Sequence, residues 1–164
     1  MKFKYSALLI ILFWSISLFA QQNEIELALN PLPGTQSDWE FQLSLDFKIS
    51  PANGLVIELP DEIKLIPVSI KINGAEVWLQ NIITVPERDS VIAWQTVSEG
   101  IILLYKKKLV QSGDMFTMKC MATINELPLK QARVRIKEVV WQSDNLKISD
   151  QAFATGTIPR IPKR

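Results

Sequence analysis

Residues 39–49 read WEFQLSLDFKI, a stretch in which every odd-numbered residue is apolar and every even-numbered residue is polar. A period of two places the two sets on opposite faces of a β-strand, and helical spacing does not reproduce it over such a length. The turn sequence Pro51-Ala52-Asn53-Gly54 follows, and the apolar run of residues 55–59 then predicts a second strand. Residues 39–59 are therefore predicted to form two β-strands joined by a turn.

Residues 68–79, VSIKINGAEVWL, predict a β-hairpin. Two alternating arms flank Asn73-Gly74, a pair favoured in two-residue type I′ turns because both central residues need a positive φ. Trp78 falls on the polar face of this hairpin, with Glu76 and Gln80. The opposite face is predicted to be apolar and to contain Val68, Ile70, Ile72, Ala75, Val77 and Leu79.

Further strand patterns cover residues 82–85, 91–95, 101–105, 117–124, 132–141 and, more weakly, 146–154, and no segment has a helical period. Many short strands separated by turn signals indicate an all-β fold. We expect a single antiparallel β-sandwich of about nine strands, Ig-like or of the cohesin or jelly-roll type.

The N-terminus predicts an export signal. Lys2 and Lys4 precede an apolar run at residues 7–19, and Ala20 closes it before a polar stretch. An uncleaved anchor is the alternative, but the run is shorter than the ~20 residues that a membrane span needs. We expect a signal peptide at 1–20, a β-sandwich domain at 21–156 and a basic, proline-containing tail at 157–164. The mature chain is then periplasmic or extracellular, with no stable membrane span.

Composition excludes several kinds of chemistry. The chain has 18 basic and 17 acidic residues, so it lacks the basic field typical of nucleic-acid binding. With no histidine and one cysteine, it cannot build a Ser-His or Cys-His pair, a His-ligated zinc site or an internal disulfide. Cys120 is expected to be a buried apolar residue, with a reactive thiol as the alternative. We predict no catalytic residue, no cofactor and no metal.

Acidic residues leave a hydrolase as a minor alternative. A glycosidase needs two carboxylates about 5–10 Å apart on either side of one sugar. Two groups stand at predicted strand ends or loops, where solvated charge is the simpler interpretation: Glu58 with Asp61 and Glu62, and Glu87 with Asp89.

Four residues are candidates for partner binding. Trp78 and Trp141 fall in the polar phase of their strands, so each ring could be exposed and stack on a ligand. Arg135 and Lys137 form a basic stripe beside Trp141. The leading hypothesis is an exported, non-catalytic binding or adhesion module for a protein or glycan partner. The alternative is a structural subunit of a bacterial cell-envelope or surface assembly, which uses an edge strand or the basic tail.

Several segments resemble bacterial extracellular β-domains: Leu59-Pro60, the run Ser69-Ile70-Lys71-Ile72-Asn73-Gly74, and the turn Gly113-Asp114. In outline the chain is similar to cohesin-like and related bacterial surface modules, and the resemblance implies binding or adhesion. The junction Ala20-Gln21-Gln22 resembles signal peptides common in the Bacteroidota, which implies a Gram-negative source.

Overall fold

The computed structural model describes residues 23–32, 40–49, 52–82, 84–142 and 145–162. The predicted signal peptide lies outside these residues, and so does Trp39, which the alternation places in the core. None of the described segments is a helix long and apolar enough to cross a membrane. The described chain forms eleven β-strands and one short 3₁₀ turn, so the predicted all-β class is confirmed.

The strands are β1 (Asn23–Glu24), β2 (Glu26–Pro31), β3 (Glu40–Lys48), β4 (Gly54–Glu58), β5 (Ile63–Ile72), β6 (Ala75–Asn81), β7 (Val91–Val97), β8 (Gly100–Leu104), β9 (Met115–Ile124), β10 (Ala132–Gln142) and β11 (Asn145–Ile158), and the 3₁₀ turn is Lys107–Leu109. Of the predicted strands, residues 82–85 form a connection instead of a strand where they are described.

All eleven strands join one curled sheet in the order β1-β11-β10-β4-β8-β7-β6-β5-β9-β3-β2. The first half of β6 pairs with β5 and its second half pairs with β7, so β6 links what would otherwise be two sheets. The predicted sandwich of two separate sheets is therefore not confirmed. Two pairs, β1 with β11 and β6 with β7, are parallel, whereas the sequence analysis predicted an antiparallel arrangement.

The curl brings the two edges of the sheet together at Ile25. β1 pairs with β11 at one edge and β2 pairs with β3 at the other, with only this buried residue between them. The Ile25 N–H donates a hydrogen bond to the Thr155 carbonyl at 3.0 Å. Gly156 permits the close approach, because a Cβ there would lie 2.6 Å from Leu27 Cδ1 and 3.0 Å from Ile25 Cβ.

One apolar core lies inside the curl. Alternate residues of β3 point into it, as the sequence predicts, and so do alternate residues of β5, β8, β9 and β10. The rings of Phe47 and Phe116 meet there with centroids 5.0 Å apart. A second, smaller apolar cluster contains Val56, Ala93, Ile102, Leu104 and Val139. Burial of these side chains is the main source of stability for a fold of this kind.

The described end of the chain is tied to the sheet. β11 continues to Ile158, two residues past the predicted domain boundary, and Ile158 is buried. The Ile161 N–H donates to the Leu129 carbonyl at 3.0 Å. Ile158 and Ile161, which belong to the predicted tail at 157–164, therefore pack against the core.

Candidate binding site

The β5–β6 hairpin forms as predicted. Asn73 and Gly74 have φ values of 50° and 82°, and the pairs Ile72–Ala75, Lys71–Glu76 and Ile70–Val77 follow the turn. Positive φ at both central residues is the requirement of a type I′ turn. The hairpin fixes which face of β6 carries each side chain, and it points Trp78 outward.

Val68 does not lie on the buried face that the alternation predicts for it. The pairing of β5 with β9 shifts register between Pro67 and Ser69, so one extra residue occupies β5. Such a bulge changes the phase of the alternation by one position. Val68 consequently turns outward and is 66% exposed, while Ile70 remains in the core.

β5 and β6 diverge beyond this bulge. From Trp78 onward β6 pairs in parallel with β7, beginning with Trp78 opposite Val91. The Trp78 N–H donates to the Ser90 carbonyl at 3.2 Å, so the backbone of Trp78 is bonded on the β7 side. Its side chain is 76% exposed, which agrees with the sequence prediction of an exposed ring.

Four large apolar side chains are exposed in this region, and we call them the Trp78 strip: Ile66, Val68, Trp78 and Ile82. A groove of about 440 Å³ separates Trp78 from β5 and is lined by Val68, Ser69, Glu76, Val77 and Leu79 together with Trp78. Val68 lines this groove with Trp78, Ile82 lines a second depression with Trp78, and Ile66 lies two residues from Val68 on β5. Neighbouring exposed apolar side chains mark interaction surfaces more often than isolated ones do.

A second depression, of about 600 Å³, lies on the other side of Trp78. Its lining is more polar and includes Gln80, Thr84, Glu87, Arg88 and Ser90. The Trp78 ring therefore stands between a groove of mixed lining and a more polar depression, and a partner could pack on the ring while forming hydrogen bonds beside it.

Lys106 fixes the loop that forms the wall of the polar depression. Its Nζ lies 3.3 Å from Asp89 Oδ1 and donates a hydrogen bond to the Glu87 carbonyl. In the same loop Pro86 is buried, and Val85 packs against the second apolar cluster. Lys106 therefore has a structural role in holding this loop.

The other predicted binding residues lie elsewhere. Lys137 Nζ is 2.6 Å from Glu58 Oε1, and Arg135 Nε is 3.0 Å from Glu58 Oε2. Both cations thus pair with one carboxylate between β10 and β4. Trp141 pairs with Leu146 through the backbone, and its side chain lies outside the described residues. In the sheet order β10 is four strands from β6, roughly 19 Å, so the structure does not bring these residues to Trp78.

The acidic residues and the thiol are placed as follows. Glu58 is engaged by the two cations, Asp61 and Glu62 form the exposed turn after β4, and Glu87 lines the polar depression. Cys120 is fully buried, and burial raises the pKa of its thiol to about 12. Within the described ranges, no three His, Cys, Asp or Glu side chains are grouped so that they could hold a metal ion.

No protein-family model and no curated protein matches this chain. Solved structures that are similar to it in backbone arrangement include a pilus protein and an adhesin domain. One is the pilus backbone of Streptococcus pneumoniae, at 12% identity and a TM-score of 0.43, covering 71% of this chain and 52% of that one. The other is the collagen-binding domain of a Staphylococcus aureus adhesin, at 6% identity and a TM-score of 0.44, covering 85% of this chain and 97% of that one. This chain spans about half the length of the pilus protein.

The sequence analysis found Trp78 but not the rest of the strip. It placed Val68 on the buried face of the hairpin, put Ile82 in a predicted strand at residues 82–85, and assigned Ile66 to no strand. One signal was available, because a proline inside a strand pattern, here Pro67, indicates an edge strand or a bulge.

Proposed function

We propose that this chain is an exported, non-catalytic binding module that acts in adhesion, and that a protein or glycan partner docks on the Trp78 strip. The observation that supports this most is the 76% exposure of Trp78, with the exposed Val68 and Ile82 lining the depressions on either side of it. Water contact with so much apolar surface is unfavourable, and a partner that covers it gains that free energy.

The composition of the strip agrees with a binding role. Tryptophan is among the residues that contribute most to protein interfaces, and apolar anchors inside a polar rim are the usual anatomy of such surfaces. Arg88, Glu87 and Gln80 supply the polar rim. A glycan would use the ring as a stacking platform and the same polar groups for hydrogen bonds, whereas the exposed Ile66 and Val68 favour a protein.

The experiment compares Trp78→Ala with the wild type. Fluorescently labelled protein is applied to intact cells of the source organism and to an array of oligosaccharides, and retained protein is measured against concentration. We expect the substitution to weaken retention at least about tenfold, equivalent to about 1.4 kcal/mol. The free energy of unfolding should stay within about 0.5 kcal/mol of the wild type, because the ring is exposed.

A matched control tests whether the loss of retention is specific to the Trp78 strip or follows from removal of any exposed apolar side chain. Val140 on β10 is 42% exposed and lies outside the Trp78 strip. Val140→Ala should bind like the wild type. Equal retention of Trp78→Ala and wild type on every probe would refute the proposed site, and so would loss of folding in Trp78→Ala.

A further inference from the structure

Two Asn-Gly pairs occur in the chain, and the structure places them in opposite environments. Asn73-Gly74 forms the exposed turn of the β5–β6 hairpin, whereas Asn53-Gly54 leads into β4 in the middle of the sheet. Asparagine is among the thermolabile residues of proteins, and a following glycine has no side chain to hinder attack on the asparagine amide. We propose that Asn73 is a self-modification site, at which the Gly74 nitrogen displaces ammonia and the residue becomes aspartate or isoaspartate.

The reaction needs only water and base. When the Gly74 amide loses its proton to base, its nitrogen bonds to Asn73 Cγ, and the Cγ–Nδ2 bond breaks as ammonia departs with a proton from water. Water then opens the cyclic succinimide that results. Opening at Cγ gives aspartate, and opening at the Asn73 backbone carbonyl gives isoaspartate. In sum, a water is consumed, an ammonia is released and no electrons are transferred. The chain gains a negative charge because a neutral amide becomes a carboxylate.

The turn leaves the reacting nitrogen accessible. Gly74 is exposed, and a Cβ built on it would meet no other atom within 4 Å. The strand pairing passes from Ile72 to Ala75, and no hydrogen bond among the described residues engages the Gly74 N–H. Base and water therefore reach this amide from solvent, and there is space for the succinimide ring and for the longer isoaspartate backbone.

The other Asn-Gly pair is held on both sides. The Asn53 N–H donates to the Val139 carbonyl at 3.1 Å, and the Asn53 carbonyl accepts from the Tyr105 N–H at 3.0 Å. Gly54 is buried, and a Cβ there would clash with the Leu103 carbonyl oxygen. Rotation of this backbone to bring the glycine nitrogen onto the asparagine Cγ would break hydrogen bonds to both neighbouring strands. Asn53 is therefore protected in the folded chain and serves as an internal control.

Three hydrogen bonds hold Asn73 and set the rate of its reaction. Its Nδ2 donates to Asp114 Oδ1 at 2.8 Å, the Met115 N–H donates to its Oδ1 at 2.9 Å, and its own N–H donates to the Met115 carbonyl at 2.8 Å. The two side-chain bonds keep the amide against β9, so they must break before Cγ meets the Gly74 nitrogen. Local opening of the turn is therefore the step that precedes the chemistry, and loss of the Asp114 partner should speed it.

The product cannot restore these contacts. An aspartate at position 73 has no donor for Asp114 Oδ1, and two carboxylates then face each other where a hydrogen bond was. The change is irreversible because ammonia is lost to solvent. The tie between the β5–β6 hairpin and β9 therefore weakens with time and without an enzyme.

The test follows deamidation by peptide mass spectrometry after incubation in mildly alkaline buffer, with the protein either folded or unfolded in urea. We expect both Asn-Gly pairs to react in urea, and only Asn73 to react in the folded chain. Asp114→Ala should speed the reaction of Asn73 severalfold while Asn53 stays protected, which shows that the variant is folded. Gln80→Ala, an exposed polar residue of β6, is the matched control and should not change the rate.

Two results would overturn the proposal. One is a folded chain in which Asn73 stays intact while the unfolded chain reacts to completion, and the other is equal reaction of Asn53 and Asn73 in the folded chain. An Asp114→Ala variant that reacts no faster than the wild type would overturn the role of the hydrogen bonds in setting the rate.

A charge exchange tests the effect of the product on the fold. Asn73→Asp should lower the urea midpoint of unfolding at neutral pH, because it removes a donor and brings two carboxylates together. Combining it with Asp114→Asn exchanges the amide and the carboxylate, so that a donor again faces an acceptor, and should recover most of the midpoint. A double variant no more stable than Asn73→Asp alone would overturn this consequence of the modification.

Discussion

The two ends of β5 differ in how their neighbours hold them. At the turn end, which we call the closed end, β5 pairs with β9 and β6 at once. Asn73 Nδ2 donates to Asp114 Oδ1 at 2.8 Å, and the Met115 N–H donates to Asn73 Oδ1 at 2.9 Å. At the other end, which we call the open end, the register of β5 against β9 shifts after Pro67, and β6 pairs with β7 instead of β5.

The same alternation of residues therefore produces a bonded hairpin at one end and an exposed apolar strip at the other. The two ends differ because β5 has one extra residue, Val68, relative to β9, and because β6 pairs with β7 from Trp78 onward. Both are properties of strand pairing. The closed end has the additional hydrogen bonds of the turn, whereas the surface suited to binding lies at the open end. Four predictions test that division, from the largest expected effect to the smallest.

The reactivity of Cys120 tests whether the register shift at the open end gives solvent access to the core. It lies opposite Pro67, next to the register shift, and is fully buried. Burial raises the pKa of its thiol from 9.0 to about 12. At about pH 8 the thiolate fraction, and with it the rate of reaction with a disulfide reagent, should fall roughly a thousandfold below that of the unfolded chain. Labelling at the rate of the unfolded chain would show that the bulge opens the core.

Phe116 tests the packing beneath the closed end. It pairs with Ile72 and Phe47 and has no exposed surface. Phe116→Ala should lower the free energy of unfolding by about 3–5 kcal/mol in urea titrations, because it leaves a cavity in the core. Trp78→Ala at the open end should change it by less than about 0.5 kcal/mol. Similar losses for the two variants would contradict the division between the ends.

Asn73 tests the hydrogen bonds of the turn. Asn73→Ala removes the bonds to Asp114 and Met115 and leaves a residue less suited to a φ of 50°. We expect a loss of about 2 kcal/mol in the free energy of unfolding. Gln80→Ala, an exposed polar residue at the open end, is the control and should cost less than about 0.5 kcal/mol. A loss no larger than that of the control would contradict the importance of the turn.

Asp114 gives the closed end a pH dependence. Hydrogen bonds from the Gln111 backbone N–H and the Asn73 side chain hold the pKa of this carboxyl below its usual value. Because the folded pKa lies below the unfolded one, the stabilisation is complete above the unfolded value of about 3.9 and is lost as pH falls through the folded pKa. Asp114→Asn should be less stable than the wild type at neutral pH, and this difference should shrink in acid. A difference that is independent of pH would contradict this account.

Local patterns predicted much of the closed end. The alternation of residues 39–49 and the Asn73-Gly74 turn act within one or two strands, so the sequence contains what is needed to predict them. The buried face of β3 and the positive φ of both turn residues agree with that analysis.

The open end depends on contacts between distant segments. Neither the register of β5 against β9 nor the choice of β7 as a second partner for β6 has a local signal beyond Pro67. Local alternation was enough to identify Trp78 as exposed. Arg135 and Lys137 were assigned to a binding surface because the sequence does not show that Glu58 lies on the neighbouring strand and pairs with both. The sequence predicted which way side chains point where a strand is regular, but it did not predict the direction of Val68 at the bulge or which strands lie side by side.

The central claim is that Trp78 belongs to a binding surface and not to the core. Retention of labelled Trp78→Ala on source cells and oligosaccharides, measured beside Val140→Ala, tests it most directly. We predict at least about a tenfold loss for Trp78→Ala and none for Val140→Ala, with both proteins as stable as the wild type. Equal retention of the two variants on every probe would contradict the account.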